Sequence, residues 1–148
     1  MLEARKAELD KWDQAAQDRF KKWFGTTDEA ARKKMQDRVD KELALNNKLT
    51  LDNFHPAEPP KDKDATLFAY VYPDKDDKIY LGQQFCNAAV SGTDSKAGTL
   101  CHEMSHFDSV AGTKDVVYGS SNCEALAKKD SAKALQNADS FEYFCEGS

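Results

Sequence analysis

His102, Glu103 and His106 stand in the order H-E-x-x-H within the stretch Thr99-Leu100-Cys101-His102-Glu103-Met104-Ser105-His106-Phe107. On a helix, residues four apart differ by about 40° in azimuth and about 6 Å along the axis. Two imidazoles at that spacing project side by side and can bind one tetrahedral zinc ion. Glu103, one position on, points too far round to ligate with them easily, but it can reach a water held at an open coordination position. That layout suits a metal hydrolase. Cys101 does not join the set, because neighbouring helical residues point about 100° apart.

Two imidazoles need a third protein ligand, and the chain offers three. His55 lies upstream in a loop and would have to be brought in by folding. Glu124, on a following helical stretch, occupies a placement that some zinc peptidases use. Asp115 follows Gly112-Thr113, where the chain can fold back over the helix end, and its short side chain suits a ligand delivered by a tight loop. Asp108 sits too close to His106 to turn onto the same ion. The longer H-E-x-x-H-x-x-G-x-x-H form is absent, since position 109 is serine and position 112 is glycine.

The elements that must position these residues can be read from periodicity. A helical segment begins at Asp94 and runs through His106 or Phe107. Residues 2–24 read as one amphipathic helix, with Leu2, Leu9, Trp12, Ala16, Phe20 and Trp23 at three- and four-residue steps and Gly25 at its end. Thr26 and Glu29 form a capping-box pattern for a second helix whose buried stripe is Met35, Val39 and Leu43. Leu49 to Phe54 alternates as a short strand would. After a proline-rich loop, Thr66 to Tyr72 and Lys78 to Phe85 are β-prone runs separated by five residues, the pattern of a hairpin. Residues 109–121 read as an ordered loop, and Asn122 to Cys145 as two or three short helices. One α+β domain over 1–148 is expected: a helical part (1–46), strands (49–85), then the active-site helix, loop and C-terminal helices (94–148).

The bulk numbers agree. A chain of 148 residues suffices for one hydrophobic core. Its net charge of −5 offers no basic stripe for a phosphate backbone, which excludes nucleic acid as a partner. There is no run of about 18 apolar residues, hence no membrane span. The first ten residues carry charges where a signal peptide needs an apolar core, so an exported protein would have lost its signal or would use another route. Cys86, Cys101, Cys123 and Cys145 permit two disulfides, and their even number leans towards an oxidising compartment. Sequence proximity alone pairs Cys86 with Cys101 and Cys123 with Cys145.

Gly112-Thr113-Lys114-Asp115-Val116-Val117-Tyr118-Gly119 resembles the G-T-x-D-x-x-Y-G motif of the aspzincins, the deuterolysin family of metallopeptidases, and follows H-E-x-x-H in that family's order and spacing. Phe68-Ala69-Tyr70-Val71-Tyr72-Pro73, Ser91-Gly92-Thr93-Asp94-Ser95 and Asn137-Ala138-Asp139-Ser140-Phe141-Glu142-Tyr143-Phe144 look like its peptidyl-lysine metalloendopeptidase branch. The resemblance is dense from Leu67 to Phe144 and looser over the N-terminal helices. It implies a zincin-like fold and one Zn2+ ion held by His102, His106 and Asp115. It also implies Glu103 as general base and Tyr118 as donor to the oxyanion. Asp139 and Glu142, three apart and so on one helical face, would line a pocket for the lysine after the scissile bond. Read without the family, Tyr118 is a packing residue and the two acids a solvated face. The expected protein is a secreted or periplasmic monomer acting on protein or peptide substrates. Broad deuterolysin-like specificity, or a non-catalytic zinc- or peptide-binding effector module, are the alternatives.

Overall fold

The N-terminal helical stripe is interrupted at Trp12, which takes a left-handed conformation at φ 50°. Its ring stays in the hydrophobic stripe, edge-on to Phe20 at 5.2 Å. Asp13 then restarts the helix by accepting the Ala16 N–H at 3.0 Å, as an N-cap aspartate does. The run read as one helix over 2–24 is therefore two, α1 (Leu2–Lys11) and α2 (Gln14–Phe24). Apolar periodicity carries across the break because Trp12 packs inward on both counts.

The computed structural model describes all residues 1–148. The third helix, α3, spans Glu29–Asn46. A 3-10 turn (Leu51–Asn53) leads into β1 (Phe54–Pro56), and a second (Lys61–Lys63) precedes β2 (Ala69–Tyr70). Then follow β3 (Ile79–Leu81), α4 (Gln83–Asn87), α5 (Lys96–His106), α6 (Ser120–Lys129), α7 (Ser131–Gln136) and α8 (Ala138–Glu146). The fold is α+β in one domain, as the sequence implied. The hairpin is present, with β2 antiparallel to β3 (Ala69 opposite Leu81), but its strands are shorter than the β-prone runs. The expected strand over Leu49–Phe54 instead begins at Phe54, because Leu51–Asn53 closes a 3-10 turn. In that turn the Asn53 side chain accepts the Thr50 N–H at 2.7 Å. β1 runs parallel to β3, giving the order β1-β3-β2 and leaving β2 at an edge. At α3 the Thr26 hydroxyl accepts the Asp28 N–H, while Asp28 itself makes no side-chain cap.

Two apolar clusters meet at α5. The larger joins Phe20, Trp23, Phe24, Met35 and Val39 to Phe141 and Phe144 of α8. The smaller packs Ile79 of the sheet on Met104, Phe107 and Val110. With both sides of α5 so covered, its remaining face, bearing His102, Glu103 and His106, turns to a cleft. No helix is long and apolar enough to cross a membrane.

All four cysteines are free thiols, which corrects the pairings drawn from proximity. Cys86 is exposed on α4, whereas Cys101 points into the larger core, where it meets Cys145 of α8. Cys123 faces Asn137. Side-chain direction, not separation along the chain, decides these neighbours.

Behind α5, α3 buries two ionisable side chains, Arg38 and Glu42. Neither oxygen of Glu42 finds a hydrogen-bond partner, and of the Arg38 nitrogens only Nη2 does, donating to the Leu135 carbonyl at 2.8 Å. Burial pushes the Glu42 carboxyl up to about 8 from an ordinary 4.5, against the opposing pull of Cys101 and Arg38. Between those values the folded protein keeps a proton that the unfolded chain has released, so stability falls as pH rises through the interval. Glu42→Gln should flatten this decline relative to the wild type, as urea midpoints measured across the same pH range would register.

Candidate metal centre

The start of α5 is fixed by α8. Ser95 caps the helix by accepting the Gly98 N–H at 3.0 Å. Glu146 in turn accepts from the Ser95 N–H at 3.0 Å and from its hydroxyl at 2.9 Å. The two helices come so close at Gly98 that a Cβ there would lie 1.9 Å from Glu146 Oε1. This approach brings Asp139 and Glu142 directly behind His102.

His102 is held at both ring nitrogens. Its Nδ1 lies 2.8 Å from Asp139 Oδ1 and 3.1 Å from Glu142 Oε2, and its Nε2 lies 3.0 Å from Asp115 Oδ1. His106 repeats the pattern with different partners: Nδ1 bonds the Thr113 carbonyl at 2.9 Å, and Nε2 lies 3.2 Å from the same Asp115 oxygen. Ser105 steadies Thr113 through a 2.6 Å contact between hydroxyls. The spacing read for a helix thus does place the two imidazoles side by side, ring centroids 4.9 Å apart.

Of the three candidates for a third ligand, the structure brings only Asp115 to the histidines. His55 packs against Tyr80 on the sheet, its ring tilted at 37°, and Glu124 on α6 faces Lys22 at 3.8 Å. Asp115 arrives on an ordered loop, residues 113–119, that ends at Gly119. There φ is +86°, a conformation glycine adopts without penalty, and the Gly119 N–H donates to Asp139 Oδ2 at 2.8 Å. Tyr118 is 61% exposed beside the cleft. Burial and the neighbouring Asp115 raise its phenol to about 12, so it remains a hydrogen-bond donor at neutral pH. Asp139 and Glu142 are buried, not a solvated face.

The donor set fits zinc. Bonds of about 2.0–2.1 Å around a tetrahedral ion place its ligands about 3.3 Å apart, close to the 3.0 and 3.2 Å separations between Asp115 and the two imidazoles. The nitrogens facing away are bound to carboxylates and to a backbone carbonyl, the arrangement that fixes the tautomer of metal-ligating histidine. Electrostatics point the same way. Burial disfavours a charge on His102, yet its bonds to Asp115, Asp139 and Glu142 outweigh that and hold its pKa well above 6.5. His106 is raised likewise, burial being outweighed chiefly by Asp115, while the Asp115 carboxyl is driven well below its usual range despite its own burial. Glu103 is raised by burial, against the two histidines.

These side chains line a cleft of about 750 Å³, walled on the far side by Phe68, Ala69, Tyr70 and Val71 around the edge strand β2. Asp94 also borders it, accepting the Tyr143 hydroxyl at 2.9 Å. Sequence reasoning missed Glu146, Thr113 and the second role of Asp139. Glu146 left no trace in the sequence, because it meets Ser95 only across the fold.

Residues 10–146 match the aspzincin family profile, described as lysine-specific metallo-endopeptidase. An extracellular protease of Aeromonas hydrophila is 44% identical over 135 residues, which are 86% of this chain and 35% of that protein. The peptidyl-Lys metalloendopeptidase of Grifola frondosa is 51% identical over 82 residues, 55% of this chain and 24% of that protein. A solved zinc peptidase from Grifola frondosa superposes with a TM-score of 0.79 at 33% identity, covering 99% of this chain and 90% of its own. The chain spans 35% and 24% of the length of the two curated relatives.

Zinc binds neutral imidazoles, and the carboxylates around His102 and His106 favour their protonated forms, so zinc affinity should rise with pH, with protons released to the buffer. Calorimetry in buffers of different ionisation enthalpy measures both quantities. At a thousandfold excess over Kd, zinc should stabilise the fold by about 4 kcal/mol, and His106→Ala should abolish that gain.

Proposed function

This chain belongs to the aspzincin family, and we propose that it is a zinc-dependent endopeptidase that hydrolyses peptide bonds with Glu103 as general base. The observation that carries this reading is the single Asp115 oxygen placed 3.0 and 3.2 Å from the Nε2 atoms of His102 and His106, with Glu103 on the same cleft wall. The catalytic unit is the domain over 1–148, acting as a monomer on protein or peptide substrates. Export fits the extracellular Aeromonas relative.

His102, His106 and Asp115 would hold one zinc ion. When bound there, zinc supplies Lewis acidity towards the peptide carbonyl and lowers the pKa of water. Glu103 takes the proton of the attacking water on a carboxylate oxygen and delivers it to the nitrogen of the departing amine. Burial raises its pKa, which suits a group that must accept a proton and then return it. The Tyr118 phenol donates a hydrogen bond to the developing oxyanion, a contribution of about 3 kcal/mol. The edge of β2 offers unpaired backbone groups on which an extended substrate can add as a strand.

The residue following the scissile bond enters the end of the cleft formed by Asp139 and Glu142. Burial raises Glu142 to about 7, so it is poised to ionise fully when a lysine ammonium arrives. Cleavage then falls on the amino side of lysine. The longer, planar guanidinium of arginine suits this narrow, point-like site less well. One observation favours the broad-specificity reading instead: both Asp139 oxygens and one Glu142 oxygen already have partners in His102 and Gly119, which leaves fewer free lone pairs for a cation.

Glu103→Gln should keep zinc, measured by elemental analysis, and lose about 10²–10⁴-fold in kcat; unchanged turnover would remove the mechanism, and an inactive wild type with zinc bound would favour a binding module. For specificity, the wild-type enzyme should digest a denatured protein into peptides that begin with lysine. Glu142→Gln should lower kcat/KM on such sites by about 2 kcal/mol or more. New N-termini without lysine enrichment would leave the broad-specificity reading.

A further inference from the structure

Asn137 is fully buried at the junction of α7 and α8, and no part of it reaches the cleft. Its side-chain oxygen accepts two consecutive backbone N–H groups, from Val116 at 3.0 Å and Val117 at 3.1 Å. Its Nδ2 donates to Ser140 Oγ at 3.0 Å and to Cys123 Sγ at 3.3 Å. The amide thereby uses both lone pairs and both hydrogens. Turning it over would set its NH2 against two backbone donors, so the network fixes its orientation.

The backbone around Asn137 holds the same loop. The Lys114 N–H donates to the Gln136 carbonyl at 2.8 Å, and the Ala138 N–H to the Lys114 carbonyl at 3.0 Å, a parallel bridge between Lys114 and Asn137. Asp115 is thus bracketed, by the bridge on one side and by the Asn137 amide on the other. Lys114, Asp115, Val116 and Tyr118 are exposed and only Val117 packs against the larger apolar cluster, so this segment has little burial of its own to hold it. Successive N–H groups on an extended chain point to opposite sides. For Val116 and Val117 to share one acceptor the chain must curl, forming a concave pair of donors that needs an acceptor with two lone pairs. That curl follows directly after Asp115.

We propose that Asn137 is a positioning residue for the metal loop: by gathering the Val116 and Val117 amides onto one oxygen it sets the direction in which Asp115 meets His102 and His106. This rests on the zinc-site reading above. Groups behind a metal ligand commonly carry about 10- to 100-fold in metal affinity, and Asn137 acts one step further back, through the backbone.

The test is zinc affinity, measured by competition with a chromophoric chelator, together with amide hydrogen exchange at Val116 and Val117. Wild type is compared with Asn137→Ala, Asn137→Asp and Ser140→Ala. The alanine variant should bind zinc about 10- to 100-fold more weakly and lose protection at both amides. The aspartate, which keeps the acceptor, should restore most of each. Ser140→Ala, which removes only a partner of Nδ2, should bind zinc as the wild type does. Wild-type affinity in a folded Asn137→Ala overturns the proposal, as does an equal loss in Ser140→Ala. Should the alanine variant fail to fold, the aspartate decides: weakened zinc binding with both amides still protected overturns it, and retained binding with both protected supports it. A wild type that takes up no zinc refutes the zinc-site reading and this proposal with it, whereas normal wild-type uptake with an unaffected alanine variant refutes only the latter.

Discussion

A single carboxylate oxygen shared between two imidazoles is the contact on which the rest of the site converges. Asp115 is on an exposed loop and His102 and His106 are on a helix; Ser105 and His106 tie the start of the loop to the end of α5 through Thr113. The rest of the meeting is arranged from α8, which holds the start of α5 through Glu146, the far side of His102 through Asp139 and Glu142, and the Asp115 loop through Gly119. One helix therefore sets the relative placement of the other two segments. Gly98 leaves room for the carboxylates of Glu146 and Glu142 beside α5, since a Cβ there would displace both.

The concentration of charge follows from that packing. Four carboxylates, those of Glu103, Asp115, Asp139 and Glu142, surround two imidazoles in a partly buried cleft. Burial alone would strip such groups of their charge. What keeps Asp115 ionised is the pair of imidazoles, and what keeps those imidazoles able to carry protons is Asp115 in turn. A divalent cation could replace the protons in this balance, because the two separations between Asp115 and the imidazoles, 3.0 and 3.2 Å, are close to the edge of a tetrahedron of zinc ligands. The two carboxyl groups on the α8 side, Asp139 and Glu142, are both buried against His102.

Much of this was legible in the sequence, for reasons that differ from residue to residue. The facing of His102 and His106 follows from helical phase, a local property, and so could be read directly. Asp115 could not be separated from His55 or Glu124 by spacing, because each is delivered by tertiary structure; the G-T-x-D-x-x-Y-G resemblance chose among them. The break at Trp12 was hidden because apolar residues continue in step through it, and a left-handed residue leaves no mark on periodicity. Thiol neighbours were misread because separation along the chain says nothing of which way a side chain points. Asn137 had no reading of its own, since an asparagine between two helices takes its meaning from the path of a loop some twenty residues away. The α+β class survived these errors because it depends on the existence of elements, not their limits.

The two apolar clusters that flank α5 differ greatly in extent. On one side a broad aromatic mass anchors α8 and the groups behind the histidines; on the other, four buried residues and strands of two or three residues support the cleft's opposite wall. Regions with few buried apolar contacts open at lower free energy than the main core. The sheet wall is therefore the compliant jaw of the cleft and the helical wall the fixed one, so the cleft can widen by yielding on the side opposite His102, Glu103 and His106.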